Sequence, residues 1–212
     1  MRFEMLRTNA LEKSEMNAES RRVEITRATS ETRIALALDL DGTGQGDVRS
    51  GIGFLDHLLT ALARHARFDL RLTCEGDLQI DDHHTAEDCA LALGAAIDQA
   101  LGERRGIVRF GSAYAPLDEA LARSVVDLSG RPFARVSLGL RRDRLGDLSC
   151  ENVTHVLTSL AIAARATLHV DVLEGENDHH RAEAAFKATA LALRGALRRD
   201  GSDAVPSTKG AL

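Results

Sequence analysis

A His-His-x-x-Glu motif occurs twice in the chain, and its two copies have nearly the same surroundings. Residues 81–87 are DDHHTAE and residues 177–183 are NDHHRAE, so the paired histidines recur after 96 positions. Residues 57–63 and 155–161 also match, with five identities in seven positions at a spacing of 98. Because both matches occur in the same order at nearly the same spacing, we interpret the chain as an internal duplication.

The two halves share one predicted order of strands and helices. The first half is predicted to contain strands at 23–29 and 33–40 around a turn at Ser30 and Glu31, a helix at 54–65, a strand at 68–74 and a helix that ends at Gly102. The second half is predicted to contain strands at 124–128 and 133–140 joined by a turn at 129–132, a helix at about 147–166, a strand at 167–173 and a helix that ends near Gly201. Each half is therefore predicted to be a ββαβα unit of an α+β protein, with sheets packed on helices.

The predicted half-repeats are residues 21–111 and 112–200, followed by a C-terminal tail at 201–212. Residues 1–20 are charged and polar, so we expect a poorly ordered N-terminal extension and no signal peptide. No apolar run approaches the roughly 20 residues of a membrane span. These features predict a cytoplasmic protein without a membrane partner.

Composition excludes further classes of function. The three cysteines are odd in number and lack metal-ligand spacing, which suits a reducing compartment better than a disulfide framework. A net charge of -5 and an aromatic content of 3% argue against nucleic-acid binding, which needs a basic surface and stacking platforms. An anionic ligand must therefore be bound by a few local cations.

The spacing within the repeated motif indicates metal binding. Residues four apart lie on one face of a helix, so His83 and Glu87 can hold one cation. The adjacent His84 points about 100° away and would serve a different ion. The second copy repeats this arrangement with His179, Glu183 and His180.

His57 and His155 are the only other histidines that are equivalent in the two halves, and we predict both as ligands. His65 and His169 have no such partner, and His169 is predicted to be structural. Six histidines and two glutamates suffice for two ions with three His and one Glu each. Such donors suit Mn²⁺, Fe²⁺, Co²⁺ or Zn²⁺ better than Ca²⁺ or Mg²⁺. Four protein ligands would leave open positions on an octahedral ion, which favours catalysis over a structural role.

Several longer motifs make the sequence resemble the imidazoleglycerol-phosphate dehydratase family from Arg21 to Leu212. One departure is Asp178, where the family commonly has Asn. The matching motifs are Arg27-x-Thr29-x-Glu31-Thr32, Gly53-Phe54-Leu55-Asp56-His57, Asp81-Asp82-His83-His84-Thr85-Ala86-Glu87-Asp88, Pro116-Leu117-Asp118-Glu119-Ala120, Asp127-Leu128-Ser129-Gly130-Arg131-Pro132, Thr167-Leu168-His169, His179-His180-x-x-Glu183-Ala184-x-Phe186-Lys187-Ala188 and Ser207-Thr208-Lys209-Gly210.

The resemblance implies a ribosomal-protein-S5-like fold in each half and a homo-oligomeric cage of 24 subunits with active sites between subunits. It implies two Mn²⁺ ions per active site and a small phosphorylated imidazole as substrate. Glu31 and Glu183 are the predicted catalytic residues. The implied substrate contacts are Glu31, His65, Arg109, Arg131, Lys187, Ser207 and Lys209. Without the resemblance, Arg109 and Arg131 would be predicted as surface cations and Lys209 as part of a disordered tail.

The implied reaction converts imidazole glycerol phosphate to imidazole acetol phosphate and water, in histidine biosynthesis. The ions would stabilise the substrate ring as an imidazolate that expels the neighbouring hydroxyl, and Glu31 would take the next proton. Two alike ring nitrogens suit two alike metal sites with donors from both halves, and the resemblance implies that the two halves come from different subunits. One predicted set is His57, His84, His179 and Glu183, and the other is His83, Glu87, His155 and His180.

Two alternatives remain open from the sequence. A dinuclear metallohydrolase would usually bridge its metals with carboxylates, whereas this set is rich in histidine. A metal-storage or structural cage would use the ions only to join subunits. It would not need Glu31, Arg109, Arg131 or Lys209, and these residues therefore favour a dehydratase.

Overall fold

The computed structural model describes residues 20–210 and residue 212. The predicted N-terminal extension lies outside the described residues, except for Ser20. The first half contains four strands and two helices, which are β1 (Arg22–Ala28), β2 (Thr32–Asp39), β3 (Gly46–Arg49), α1 (Gly53–Ala66), β4 (Asp69–Gly76) and α2 (His83–Leu101). Its sheet has the order β1-β2-β4-β3, in which only the β3–β4 pair is parallel.

The second half repeats this topology. Its elements are β5 (Phe110–Leu117), β6 (Ala120–Asp127), β7 (Phe133–Ser137), a short hairpin of β8 (Arg144–Leu145) and β9 (Leu148–Ser149), α3 (Cys150–Ala163), β10 (Thr167–Glu174) and α4 (Asp178–Leu197). The sheet order β5-β6-β10-β7, with β7 parallel to β10, reproduces the first sheet. The predicted α+β fold class and the duplication are confirmed.

The four-stranded sheet of each half has one strand more than the predicted ββαβα unit, and the second half also has the short β8–β9 hairpin. In the first half the additional strand is β3, which has only four residues and a glycine, and therefore gives little alternation. In the second half it is β5, where Gly111 and Pro116 weaken the strand pattern. The expected pairing of residues 124–128 with 133–140 is wrong, because β6 pairs with β5 and β10, and β10 separates β6 from β7.

The helices pack in pairs across the duplication. Helix α2 packs on β2 and on α3, while α4 packs on β5, β6 and α1. The α2–α3 contact is close at Gly94, where an added Cβ would lie 2.5 Å from the carbonyl oxygen of Leu160 and 2.7 Å from the Cβ of Ala163. The buried leucines of α1 and the buried alanines and Phe186 of α4 complete the core. Among the described helices, none is long and apolar enough to cross a membrane.

Candidate metal centre

The α1–α4 contact brings together His57, His179 and Glu183, which we call the Glu183 cluster. Nε2 of His57 lies 2.9 Å from Oε2 of Glu183, and Nε2 of His179 lies 3.2 Å from the same oxygen. All three donor atoms lie within 4.8 Å of one another. His179 and Glu183 are one helical turn apart, as the motif spacing predicts.

The α2–α3 contact produces the corresponding Glu87 cluster of His83, Glu87 and His155. Nε2 of His155 lies 3.1 Å from Oε1 of Glu87, and Nε2 of His83 lies 3.8 Å from Oε2. The two imidazole rings are stacked, with their centroids 4.9 Å apart. Each cluster therefore presents two imidazole nitrogens and one carboxylate oxygen to a common point, which is the donor set of a transition-metal site.

Each cluster contains three of the four donors that we predicted to share an ion. His84 and His180, the fourth members, lie in neither cluster of the described chain. The prediction that the two halves of each donor set come from different subunits is wrong for the clustered donors. His57 of the first half meets His179 and Glu183 of the second half within one chain, because α1 packs on α4.

His84 and His180 have acidic neighbours instead. Nδ1 of His84 lies 3.0 Å from a carboxylate oxygen of Asp77, and its Nε2 lies 3.8 Å from Oε1 of Glu31. Nδ1 of His180 lies 2.7 Å from Oε2 of Glu119, and its Nε2 lies 3.7 Å from Asp118. The hydrogen bond to Asp77 raises the pKa of His84, and the hydrogen bond to Glu119 raises the pKa of His180.

Glu183 is ionised, and hydrogen bonds stabilise its negative charge. Its other oxygen accepts a hydrogen bond from Nζ of Lys187 at 2.7 Å. Burial alone would raise the pKa of Glu183, but the hydrogen bonds from Lys187 and His57 outweigh it and lower that pKa to about 2. Partial burial lowers the pKa of His65, and the charge of nearby Lys187 lowers it further. The predicted substrate contacts His65 and Lys187 thus lie together beside the Glu183 cluster.

The two clusters differ in the residues that touch their histidines. The ring of Phe54 lies 5.0 Å from the ring of His179, in an edge-on contact. The equivalent position in the second half is Asn152, whose Oδ1 lies 2.9 Å from Nδ1 of His83. Asn152 is itself fixed, because it is 2% exposed and its amide donates to Asp82 at 3.0 Å.

The predicted phosphate contacts lie around the carboxylate of Asp127. Arg109 forms two hydrogen bonds with Asp127, at 2.7 and 3.1 Å, and its side chain is only 13% exposed. Arg131 is 70% exposed and lies 3.9 Å from the same carboxylate. Arg109 is therefore not the surface cation that the residue pattern alone predicted, whereas Arg131 is accessible to an anion.

The C-terminal tail is attached next to Arg109. Nη1 of Arg109 donates to the carbonyl oxygen of Pro206 at 2.8 Å, and Gly106 forms backbone hydrogen bonds with Asp200 and Ala204. The Oγ of Ser207 accepts a hydrogen bond from the backbone of Lys209. The tail residues that we predicted as substrate contacts thus lie beside Arg109 rather than beside the metal clusters.

Sequence reasoning missed four side chains that surround the donors. Asp118 and Glu119 were part of a matched motif, but nothing in their spacing connects them with His180, which is about 60 residues away. Asp77 directly follows Glu75-Gly76, a pair that recurs as Glu174-Gly175, and Asn152 precedes His155 by three positions. These positions were the signals available in the sequence, but the role of each side chain becomes evident only from its tertiary contacts.

Comparisons with known proteins identify the family of this chain. A family model described as imidazoleglycerol-phosphate dehydratase matches residues 50–193. The imidazoleglycerol-phosphate dehydratase of Eremothecium gossypii is 53% identical over 92% of this chain and 99% of its own length. The protein of that name from Phytophthora nicotianae is 62% identical over 91% of this chain, which spans 42% of that longer protein. The chain belongs to the imidazoleglycerol-phosphate dehydratase family.

Solved structures of this family have the same fold. The imidazoleglycerol-phosphate dehydratase from Staphylococcus aureus superposes with a TM-score of 0.76 at 33% identity, over 84% of this chain and 99% of that one. The Pyrococcus furiosus structure has the same TM-score at 37% identity, over 89% of this chain and all of that one. The resemblance noted from the motifs is therefore confirmed, and the family is one of hydro-lyases, enzymes that eliminate water.

Proposed function

We propose that this protein is a metal-dependent dehydratase that converts imidazole glycerol phosphate to imidazole acetol phosphate and water, in histidine biosynthesis. The observation that carries the proposal is the pair of clusters, each with two imidazoles and one carboxylate, in a chain of this family. A substrate with an imidazole ring has two nitrogens, and two donor clusters of the same type suit them. The reaction needs no nicotinamide, flavin or pyridoxal cofactor.

The donor chemistry of the chain fits two Mn²⁺ ions. Imidazole and carboxylate donors are suited to Mn²⁺ and to other divalent transition metals, and each cluster has its donor atoms close enough to share one ion. The fourth donor of each ion would be His84 or His180 from a neighbouring copy. When bound, the ions would make the substrate ring a better acceptor of negative charge, which lowers the barrier to loss of the hydroxyl.

The positions of the predicted substrate contacts support an active site between subunits. The backbone nitrogen of Arg109 donates to the carbonyl oxygen of Ala196, near the C-terminal end of α4, whereas Glu183 lies near its beginning. These positions are thirteen residues apart, which corresponds to roughly 20 Å along the helix axis at about 1.5 Å per residue. One small substrate cannot contact Arg109 and the Glu183 cluster of the same chain. We therefore propose that the anion-binding residues and the metal clusters of each site come from different copies, in a cage of 24 subunits.

The predicted site residues would have separate roles in this site. Arg109, Arg131, Ser207 and Lys209 would bind the phosphate, because arginine pairs with phosphate oxygens through two hydrogen bonds. Glu31, which lies 3.8 Å from His84 and is half-exposed at a turn, would take the proton from carbon. Glu183 stays ionised, because the hydrogen bonds from Lys187 and His57 lower its pKa to about 2, and an ionised carboxylate is suited to hold a metal ion in the site where we propose a catalytic role for Glu183. Lys187 and His65 would contact the substrate beside it.

A turnover assay tests this proposal. The full-length protein, after metal removal with a chelator, is incubated with imidazole glycerol phosphate with and without Mn²⁺, and product formation is followed. We expect turnover only with the metal. The double variant His57→Ala/His155→Ala is the matched control, because it removes one donor from each cluster. If the metal-loaded wild type binds two ions per chain without turnover, the protein is a storage or structural cage instead.

A further inference from the structure

His84 and His180 have a common geometry that their assignment as donors does not explain. Each ring has its Nδ1 on a carboxylate of its own chain, which is Asp77 for His84 and Glu119 for His180. A carboxylate only accepts hydrogen bonds, so the ring nitrogen that faces it must carry the proton. In a neutral imidazole the lone pair is then on the other nitrogen, Nε2.

Nε2 is also the donor atom in both clusters. The distances that define the clusters run from Nε2 of His57, His179, His83 and His155 to the two glutamates. His83 shows how such a ring is fixed, because its Nδ1 lies against Oδ1 of the buried Asn152. An acceptor on Nδ1, with Nε2 directed to the other side of the ring, is therefore an arrangement that His83, His84 and His180 share.

The two carboxylates come from positions that the duplication does not relate. Asp77 follows β4, and the residue of the second half that matches it by sequence is Glu176. Glu119 instead lies in the turn between β5 and β6. The same hydrogen bond is therefore made from different loops, so it is not simply inherited with the duplicated unit.

Both carboxylates are fixed by their surroundings. Asp77 is 17% exposed at its side chain, and its backbone nitrogen donates to the carbonyl oxygen of Glu31 at 3.1 Å. Oε1 of Glu119 accepts hydrogen bonds from the backbone nitrogens of Glu176 and Asn177, at 3.1 and 2.8 Å. Glu119 thus connects the loop before α4 to the ring of His180, while the backbone of Asp77 is held beside Glu31.

We propose that Asp77 and Glu119 are positioning residues, which hold His84 and His180 in the tautomer and orientation that make Nε2 available to a metal ion. This inference rests on the proposed function, since it assumes that both histidines are ligands. Residues that accept a hydrogen bond from a ligand histidine typically change metal affinity by roughly 10- to 100-fold when they are removed. The part of the chain that the structure describes has two such acids, one for each ion.

The test measures Mn²⁺ binding to the full-length, chelator-treated protein, either by calorimetry or through the electron paramagnetic resonance signal of free Mn²⁺. Asp77→Ala should weaken binding of one of the two ions by roughly 10- to 100-fold. Asp77→Asn, which keeps an oxygen acceptor, should recover most of that affinity. Glu75→Ala is the matched control, because Glu75 is an exposed acid two positions away that pairs only with the exposed Arg33 among the described residues.

Comparison with His84 separates this inference from the proposed function. His84→Ala should lose the same ion, and Asp77→Ala/His84→Ala should bind Mn²⁺ no more weakly than His84→Ala alone, because Asp77 acts through that ring. If His84→Ala weakens binding while Asp77→Ala does not, the positioning role is wrong and the ligand assignment stands. If His84→Ala binds both ions as the wild type does, the ligand assignment is wrong and the inference fails with it.

Glu119 needs a second measurement, because it also binds the loop before α4. Glu119→Ala should weaken binding of the other ion. Glu119→Gln keeps one oxygen acceptor, which can serve either the backbone nitrogens or the His180 ring but not both, so it should recover only part of the Mn²⁺ affinity. Thermal unfolding of the metal-free variants identifies any loss of the fold itself. An unchanged Mn²⁺ affinity in a folded Glu119→Ala protein would overturn the proposal for the second half.

Discussion

The Glu183 cluster and the Glu87 cluster have the same donors at equivalent positions of the two halves, but they do not have the same neighbours. Glu183 is followed one turn later by Lys187, which binds it, whereas the equivalent position after Glu87 is Leu91. The Glu183 side chain is 13% exposed and the Glu87 side chain is 35% exposed. Phe54 touches a histidine of the first cluster, and Asn152 binds a histidine of the second.

This difference shows which features the duplication has kept. Both halves retain the clustered residues, as the geometry of the proposed metal ions would require. Their neighbours have diverged, and within the described residues Lys187 gives the Glu183 cluster a positive charge where the equivalent position after Glu87 is Leu91. The two sites are therefore alike in ligands but unlike in electrostatics, and an ion at the Glu87 cluster should be bound more tightly.

The largest expected effect distinguishes the β1–β2 turn from the β5–β6 turn. Each turn places an acidic side chain near Nε2 of a predicted ligand, with Glu31 near His84 and Asp118 near His180. Glu31→Gln should lower kcat by roughly 10²- to 10⁴-fold, the usual scale for loss of a general base. Asp118 lies at a similar distance from His180, but it is 74% exposed, so Asp118→Asn should leave kcat within the same order of magnitude. Steady-state kinetics on metal-loaded proteins measure both variants. Equal losses would mean that the two turns have equivalent roles.

A smaller effect is expected when the charges beside the clusters are exchanged. Lys187→Leu should increase Mn²⁺ affinity at the Glu183 cluster by roughly 10-fold, which corresponds to about 1.4 kcal/mol, because a positive charge is removed. Leu91→Lys should decrease affinity at the Glu87 cluster by a similar factor. Calorimetric titration with Mn²⁺ in the absence of substrate measures both. Unchanged affinities would show that the two sites are electrostatically equivalent after all.

The smallest expected effect is a dependence of stability on pH, to which both halves contribute. The pKa values of His84 and His180 are raised above 6.5, so their contribution to metal-free stability is present below pH 6.5 and is lost as the pH rises through the raised values. The pKa values of Glu119 and Glu183 are lowered to about 2, so their contribution is present above pH 4.5 and is lost as the pH falls toward 2. Metal-free protein should therefore be most stable between about pH 4.5 and 6.5.

The metal-loaded protein should behave in the opposite way above that range. Ions compete with protons for the histidines, so metal binding strengthens as the pH rises. The difference between the melting temperatures of metal-loaded and metal-free protein should therefore increase from pH 6 to pH 8. Thermal unfolding at several pH values tests this, and a constant difference would contradict it. Asp77→Ala should remove only the contribution of His84 to the pH dependence of metal-free stability.

The sequence predicted the grouping of the six clustered residues because helical spacing and repetition are local signals. His83 with Glu87 and His179 with Glu183 are one turn apart in any helix, and the match of His57 with His155 follows from aligning the halves. The α+β class followed from the same repetition. Strands β3 and β5 were missed because one is very short and the other contains glycine and proline, so neither alternates clearly.

Other features depend on contacts between distant residues. The pairing of α1 with α4 decides that His57 joins Glu183 within one chain, and no local pattern reports which helices pack together. The hydrogen bond from His180 to Glu119 and that from His83 to Asn152 likewise join separate parts of the chain. The orientation of each imidazole was therefore beyond the reach of sequence reasoning.

In the proposed metal centre, the close approach of α2 and α3 at Gly94 would also affect the choice of ion. The Glu87 cluster takes two donors from α2 and one from α3, so the separation of these helices determines the size of the space between the donors. An alanine at position 94 would push the helices apart, because its Cβ would overlap the backbone of Leu160. Divalent transition metals differ in ionic radius, and a wider gap favours the larger ions. In the proposed metal centre, discrimination among metals would thus depend partly on a residue that has no side chain and binds no ion.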